Sequence, residues 1–155
     1  MTAEREALKA SFLLAAGLQD ARRESLAGDA STRAYERLFL ADGSRRIFMD
    51  QPPVESAPCP PDADPGTRRT LGYNAMARLA AGRVDAFVAV AGWLNRSGLS
   101  APRIEAFDAD LGLAVMEDLG DDLFGARIAN GADEGPLYEA AVEALVHMQA
   151  SPVPD

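Results

Sequence analysis

Two alternating runs flank an Asp-Gly pair, and no other feature of the chain restricts the fold as strongly. Residues 34–40 place Tyr35, Arg37 and Phe39 on one side of an extended segment and Glu36, Leu38 and Leu40 on the other. Asp42-Gly43 follows, a two-residue hairpin signal, because a tight turn of that kind needs positive φ. Residues 45–50 then return as the partner strand. Residues 22–28 are short and weakly strand-like, so 22–50 is expected to form a three-stranded antiparallel meander.

Around this meander the periodicity changes. Residues 3–16 predict a helix, with Ala7, Leu8, Phe12 and Ala15 near helical spacing and Gly17 as its stop. Residues 51–66 hold six of the ten prolines, which lack the amide donor that regular ladders need, so a loop is expected there. A short helix is expected at 73–82, around Met76 and Leu79. Phe87, Val88, Val90, Ala91 and Leu94 mark an amphipathic helix at 85–97, capped by Gly98. Strands are expected at 103–108 and 111–117. Helices are expected at 121–130 and 136–150, the second lined by Leu137, Ala141, Val142, Leu145 and Met148. The expected class is therefore α+β, with five antiparallel strands and one main helix leading into a helical region.

The net charge of −9 leaves no broad basic face, which argues against nucleic acid or an anionic membrane as partner. Of the fifteen Lys and Arg residues only Lys9 is a lysine. Cys59 is the sole cysteine, so neither an intrachain disulfide nor a cysteine metal site is available. The first residues lack the apolar run of a signal peptide, and no stretch approaches the ~20 apolar residues of a membrane span. A cytoplasmic location is expected.

Two segments could carry chemistry. In Gly28-Asp29-Ala30-Ser31-Thr32-Arg33 the small residues allow close backbone approach to phosphate oxygens, to which amides, hydroxyls and Arg33 can donate. An ordinary β-turn has the same composition, and the spacing is neither Walker A nor G-x-G-x-x-G. In Val115-Met116-Glu117-Asp118-Leu119-Gly120 a buried strand ends in two carboxylates and a glycine. Its backbone could pair with an adenine edge, or the carboxylates could simply open a helix. His147, the only histidine, and Trp93 and Tyr73 suit packing roles. Asp20, Asp29, Asp50 and Asp118 are scattered over turns and strand ends, and no metal set is read from them.

Together these segments resemble the aminoglycoside-phosphotransferase-like kinases, in the branch that includes the cell-wall amino-sugar (N-acetylmuramate/N-acetylglucosamine) kinases. The likeness runs in order through residues 28–37, Phe48-Met49-Asp50-Gln51-Pro52-Pro53, Phe87-Val88-Ala89-Val90, residues 98–104, Met116-Glu117-Asp118-Leu119-Gly120 and Tyr138-Glu139-Ala140-Ala141-Val142. It spans roughly residues 20–150. It implies a protein-kinase-like fold using ATP and magnesium to phosphorylate a small hydroxylated molecule, a sugar or amino sugar. Residues 1–116 would form the nucleotide-binding lobe, 117–120 the hinge and 121–155 the start of a helical lobe. Gly28, Asp29, Ser31, Thr32 and Arg33 would cover the phosphates, while Met116, Glu117 and Leu119 would line the adenine, with Glu117 and Leu119 giving backbone hydrogen bonds.

Two departures follow. The strand at 47–50 lacks the third-strand lysine of protein kinases, leaving Arg33, Arg45 or Arg46 as substitutes, and helix 85–97 has no glutamate to pair with such a lysine. The catalytic loop and the magnesium ligands implied by the resemblance are expected beyond Asp155, so residues 1–155 alone are expected to be inactive, with a further lobe or a protein partner over the helices after 120. A non-catalytic nucleotide-binding or interaction module is the alternative. A role in tRNA modification, suggested by fusions in the same branch, has no Walker A loop to support it.

Overall fold

The computed structural model describes residues 2–27, 33–52, 63–70 and 84–152. The element order is α1 (Ala3–Ala15), β1 (Arg22–Ser25), β2 (Ala34–Phe39), β3 (Arg45–Asp50), α2 (Val84–Arg96), β4 (Ile104–Asp108), β5 (Leu113–Glu117), α3 (Phe124–Ala129) and α4 (Glu134–Ala150). The five strands form one antiparallel sheet in the order β1-β2-β3-β5-β4. The expected α+β class and the five-stranded sheet are both present. The helix expected at 73–82 and most of the proline-rich loop lie outside the described residues.

A helix covers each face of the sheet. On one face Leu13 of α1 packs with Leu38, Phe48, Leu113 and Val115. On the other, Val84 of α2 packs with Met49, Ala114 and Met116, flanked by Tyr35, Ile47, Phe87, Val88 and Ile104. The period-two alternation of β2 and β3 divides their residues between these faces: Glu36, Leu38, Phe48 and Asp50 look toward α1, and Tyr35, Arg37, Ile47 and Met49 toward α2. Leu113 to Val115 are fully buried, as suits a strand covered on both sides.

Four local expectations change. The hairpin after β2 is not a two-residue turn with positive φ at both positions: only Gly43, at φ 83°, is left-handed. Gly43 N–H donates to Leu40 C=O, Leu40 N–H donates to Ser44 C=O, and Asp42 Oδ1 accepts from Ser44 N–H. This is a three-residue loop that ends in a glycine bulge and needs positive φ once. Second, α1 buries Lys9 and Leu13, whereas Ala7, Leu8 and Ala15 are exposed. The sheet face below offers Glu36 and Asp50, so the helix turns its cations inward. Third, the loop expected through residue 66 gives way to helix at 65–70, where Asp64 Oδ1 accepts from Gly66 N–H and Thr67 N–H and Pro65 occupies the first helical position. Finally, α3 starts at Phe124, later than expected, after Asp121 has been drawn to Arg37.

The last helix is joined to the sheet lobe by polar contacts. His147 Nε2 donates to Ser97 C=O, since a carbonyl can only accept, and Trp93 Nε1 donates to Pro152 C=O. No residue of α4 is buried. Tyr138, Val142, Leu145 and Val146 are each more than half exposed, as are Leu119 and Leu123 before it. Among the described residues, no helix is long and apolar enough to cross a membrane.

Candidate functional site

The face of the sheet toward α2 collects the described residues of interest. Arg33 enters β2 at the end of the segment expected to hold phosphate. Its Nε donates to Gln51 Oε1 at 3.1 Å, and its guanidinium lies 5.4 Å from the ring centre of Phe87 on α2. Gln51 is only 3% exposed and its backbone N–H donates to Gly112 C=O, so it is a fixed support. Beside Arg33, Tyr35 and Ile47 form a half-buried apolar surface over Met49, Ala114 and Met116. Guanidinium at one end and apolar strand at the other is a division that suits a ligand with an anionic part and a planar apolar part.

At the opposite end of β2 lies the segment after β5. Asp118 Oδ1 accepts from Gly120 N–H at 2.8 Å, and Gly120 adopts φ 84°, where a side chain would be strained. Arg37 reaches Asp118 from β2 at 2.8 Å and Asp121 at 2.7 Å, and Arg45 lies 3.4 Å from Asp118. The hydrogen bond to Asp121, with a further one to Asp118, outweighs burial and raises the Arg37 pKa above its ordinary value; Arg37 in turn lowers that of Asp121.

Of the residues named from sequence, Gly28, Asp29, Ser31 and Thr32 lie outside the described residues. Arg33 sits on the α2 face. Met116 is 4% exposed and lies in the core, between Ile47 of β3 and Ile104 of β4. Glu117 donates its backbone N–H to Arg103 C=O and accepts from Arg103 N–H and Nη2 through its carboxylate. Leu119 is 58% exposed on the turn. The arginines considered in place of a lysine separate clearly. Arg46 pairs with Glu105, Arg45 leans toward Asp118, and Arg33 alone of the three adjoins in sequence the segment expected to hold phosphate.

Lys9 occupies the other face. Its Nζ is fully buried, 2.5 Å from Glu36, 2.9 Å from Glu6 and 3.6 Å from Asp50. It therefore reaches the end of β3 from the side opposite α2 and is no substitute for a strand lysine facing that helix. Arg37 is not among the residues expected for the site. Its alternation with Arg33 and Tyr35 was a usable signal, but its partner Asp118 lies 81 positions away. Among the described residues no group of His, Cys, Asp and Glu could hold a metal ion.

The chain is thus an α+β lobe with a helix on each sheet face and a polar strand-to-turn junction at one end. No family model matches it. It is similar to an N-acetylmuramate/N-acetylglucosamine kinase of Caulobacter vibrioides (strain ATCC 19089 / CIP 103742 / CB 15), with 64% identity over 155 residues. The match takes in 99% of this chain and 42% of that protein's length.

Proposed function

We propose that this chain forms the nucleotide-binding part of a cytoplasmic, ATP-dependent kinase acting on an amino sugar of the N-acetylmuramate or N-acetylglucosamine type. The observation that carries the reading is the 64% identity to a kinase of that name over essentially the whole chain. The site fits ATP in its donor set. Arg33, braced by Gln51, offers a planar fork to phosphate oxygens; by the resemblance Gly28, Asp29, Ser31 and Thr32 would complete the cover. Tyr35 and Ile47 give an apolar bed, and by the resemblance the backbone of Glu117 and Leu119 would meet the adenine edge. ATP would supply the phosphoryl group, and magnesium would neutralise its charge. The catalytic base and the magnesium ligands are assigned to no residue of 1–155.

Isothermal calorimetry with ATP tests the reading, and absence of binding sinks it. Arg33→Ala should weaken ATP by about tenfold, the worth of a charge-assisted pair to phosphate. Adenosine, lacking phosphate, should bind the variant as it binds the parent. Exposed Tyr138, Val142, Leu145 and Val146 on α4 favour a second component of the same reading: apolar area of this kind marks a surface covered by a further lobe or by a protein partner.

A further inference from the structure

Two carboxylates after a strand are ordinarily solvated, and Asp121 and Asp122 behave so, with side chains 70% and 71% exposed. Asp118 does not. Its side chain is 3% exposed, and a carboxylate taken out of water costs several kcal/mol unless it is paired. The pairing comes from another element: Arg37 Nε on β2 at 2.8 Å, with its Nη2 passing on to Asp121 at 2.7 Å. One guanidinium, itself 12% exposed, therefore grips both ends of residues 118–121, while Asp118 also ties down the amide of Gly120. Arg37 lies four residues beyond Arg33, which immediately precedes β2, and on the same face. A rise of about 3.3 Å per residue separates the two by about 13 Å, the length scale of a nucleoside triphosphate.

Building on the kinase reading above, we propose that Arg37 and Asp118 are positioning residues for recognition of the base. The ion pair holds the turn through Gly120 so that the backbone of residues 117–119 is presented at the end of the sheet. Neither side chain touches the nucleotide. Arg33, just before β2, and Arg37, within it, then divide the ligand, Arg33 serving its phosphates and Arg37 its adenine by way of Asp118.

The test is calorimetry of the protein with ATP, adenosine and inorganic tripolyphosphate. Asp118→Asn keeps an oxygen for Gly120 N–H but removes the charge. Affinity for ATP and for adenosine should fall about tenfold, the scale of coupling through a packed polar network, while tripolyphosphate binding stays unchanged. Arg37→Met should show the same pattern, and Arg37→Lys should recover part of it. Equal loss for all three ligands, or adenosine affinity unchanged in a variant whose melting temperature has dropped, would overturn the proposal by making the pair a structural tie only. Should Asp118→Asn lose cooperative unfolding, Arg37→Lys against Arg37→Met decides by the same criterion. Failure of the unsubstituted protein to bind ATP or adenosine removes the kinase reading and this one with it, and shows before any substitution is made.

Discussion

The two faces of the sheet both carry arginine–carboxylate pairs, yet they are built to different ends. Under α1, three cations (Arg5, Lys9, Arg23) meet three acids (Glu6, Glu36, Asp50). Burial works against the charge on Lys9, but its bonds to Glu36 and Glu6 outweigh that and hold its pKa above the ordinary lysine value. A helix lies over the whole set. Toward α2 the arginines stand at the two ends of one strand, with half-buried apolar side chains between them, and one arginine fixes a turn. A closed, balanced cluster beneath a helix fastens that helix. On the α2 face the cations are spaced along one strand beside apolar side chains, the arrangement that the kinase reading assigns to a ligand.

This contrast is broken most severely by changing the covered face. Phe48 is fully buried there, stacked on Phe12 at 6.0 Å, with Lys9 and Arg23 near its ring at 5.7 and 5.9 Å. Phe48→Ala should cost about 4 kcal/mol in urea unfolding through lost burial and a residual cavity. ATP affinity of the folded fraction should be unaltered. A parallel loss of affinity would show that the faces are not separable. Lys9→Met comes next. It leaves Glu36 with Arg23 alone and Glu6 without its nearer cation, for a cost of about 3 kcal/mol. A loss below about 1 kcal/mol, the range of exposed ion pairs, would mean the network is surface-like in solution.

Much of this architecture was readable from sequence, and the failures share a cause. Alternation placed Glu36 with Leu38 and Leu40 against Tyr35, Arg37 and Phe39, and the two core clusters keep that division. The amphipathic helix before Gly98 was legible too, because its apolar stripe meets an apolar sheet face. On α1 the same rule pointed to Ala7, Leu8 and Ala15, since a lysine scores as surface unless its partners are known. Those partners, Glu36 and Asp50, lie on strands far along the chain, and only the fold brings them beneath Lys9. The site failed in the same way. Arg33 and the turn at Met116–Gly120 could be named from residue type, whereas the pairing of Arg37 with Asp118 depends on tertiary proximity alone.

Acid offers the gentlest way to sharpen the comparison, because each face holds a carboxylate with a lowered pKa. Burial pushes Glu36 up, but bonds from Arg23 and Lys9 more than offset it, so its pKa lies below the ordinary glutamate value; Glu6 is lowered chiefly by Lys9. A carboxyl with a depressed folded pKa contributes stability that is present above its unfolded value and is lost as pH falls through the folded one. Melting temperature should therefore hold from neutral pH down to the ordinary glutamate range and decline below it as the α1 face takes up protons. Asp121 is also lowered, by Arg37, but it is largely exposed and its pair is screened by solvent. Glu36→Gln should accordingly flatten the acid decline at the expense of stability at neutral pH, while Asp121→Asn should leave the curve nearly superimposable on that of the unsubstituted protein. If instead Asp121→Asn flattened the decline and Glu36→Gln did not, the α2 face would be the one that fastens the fold.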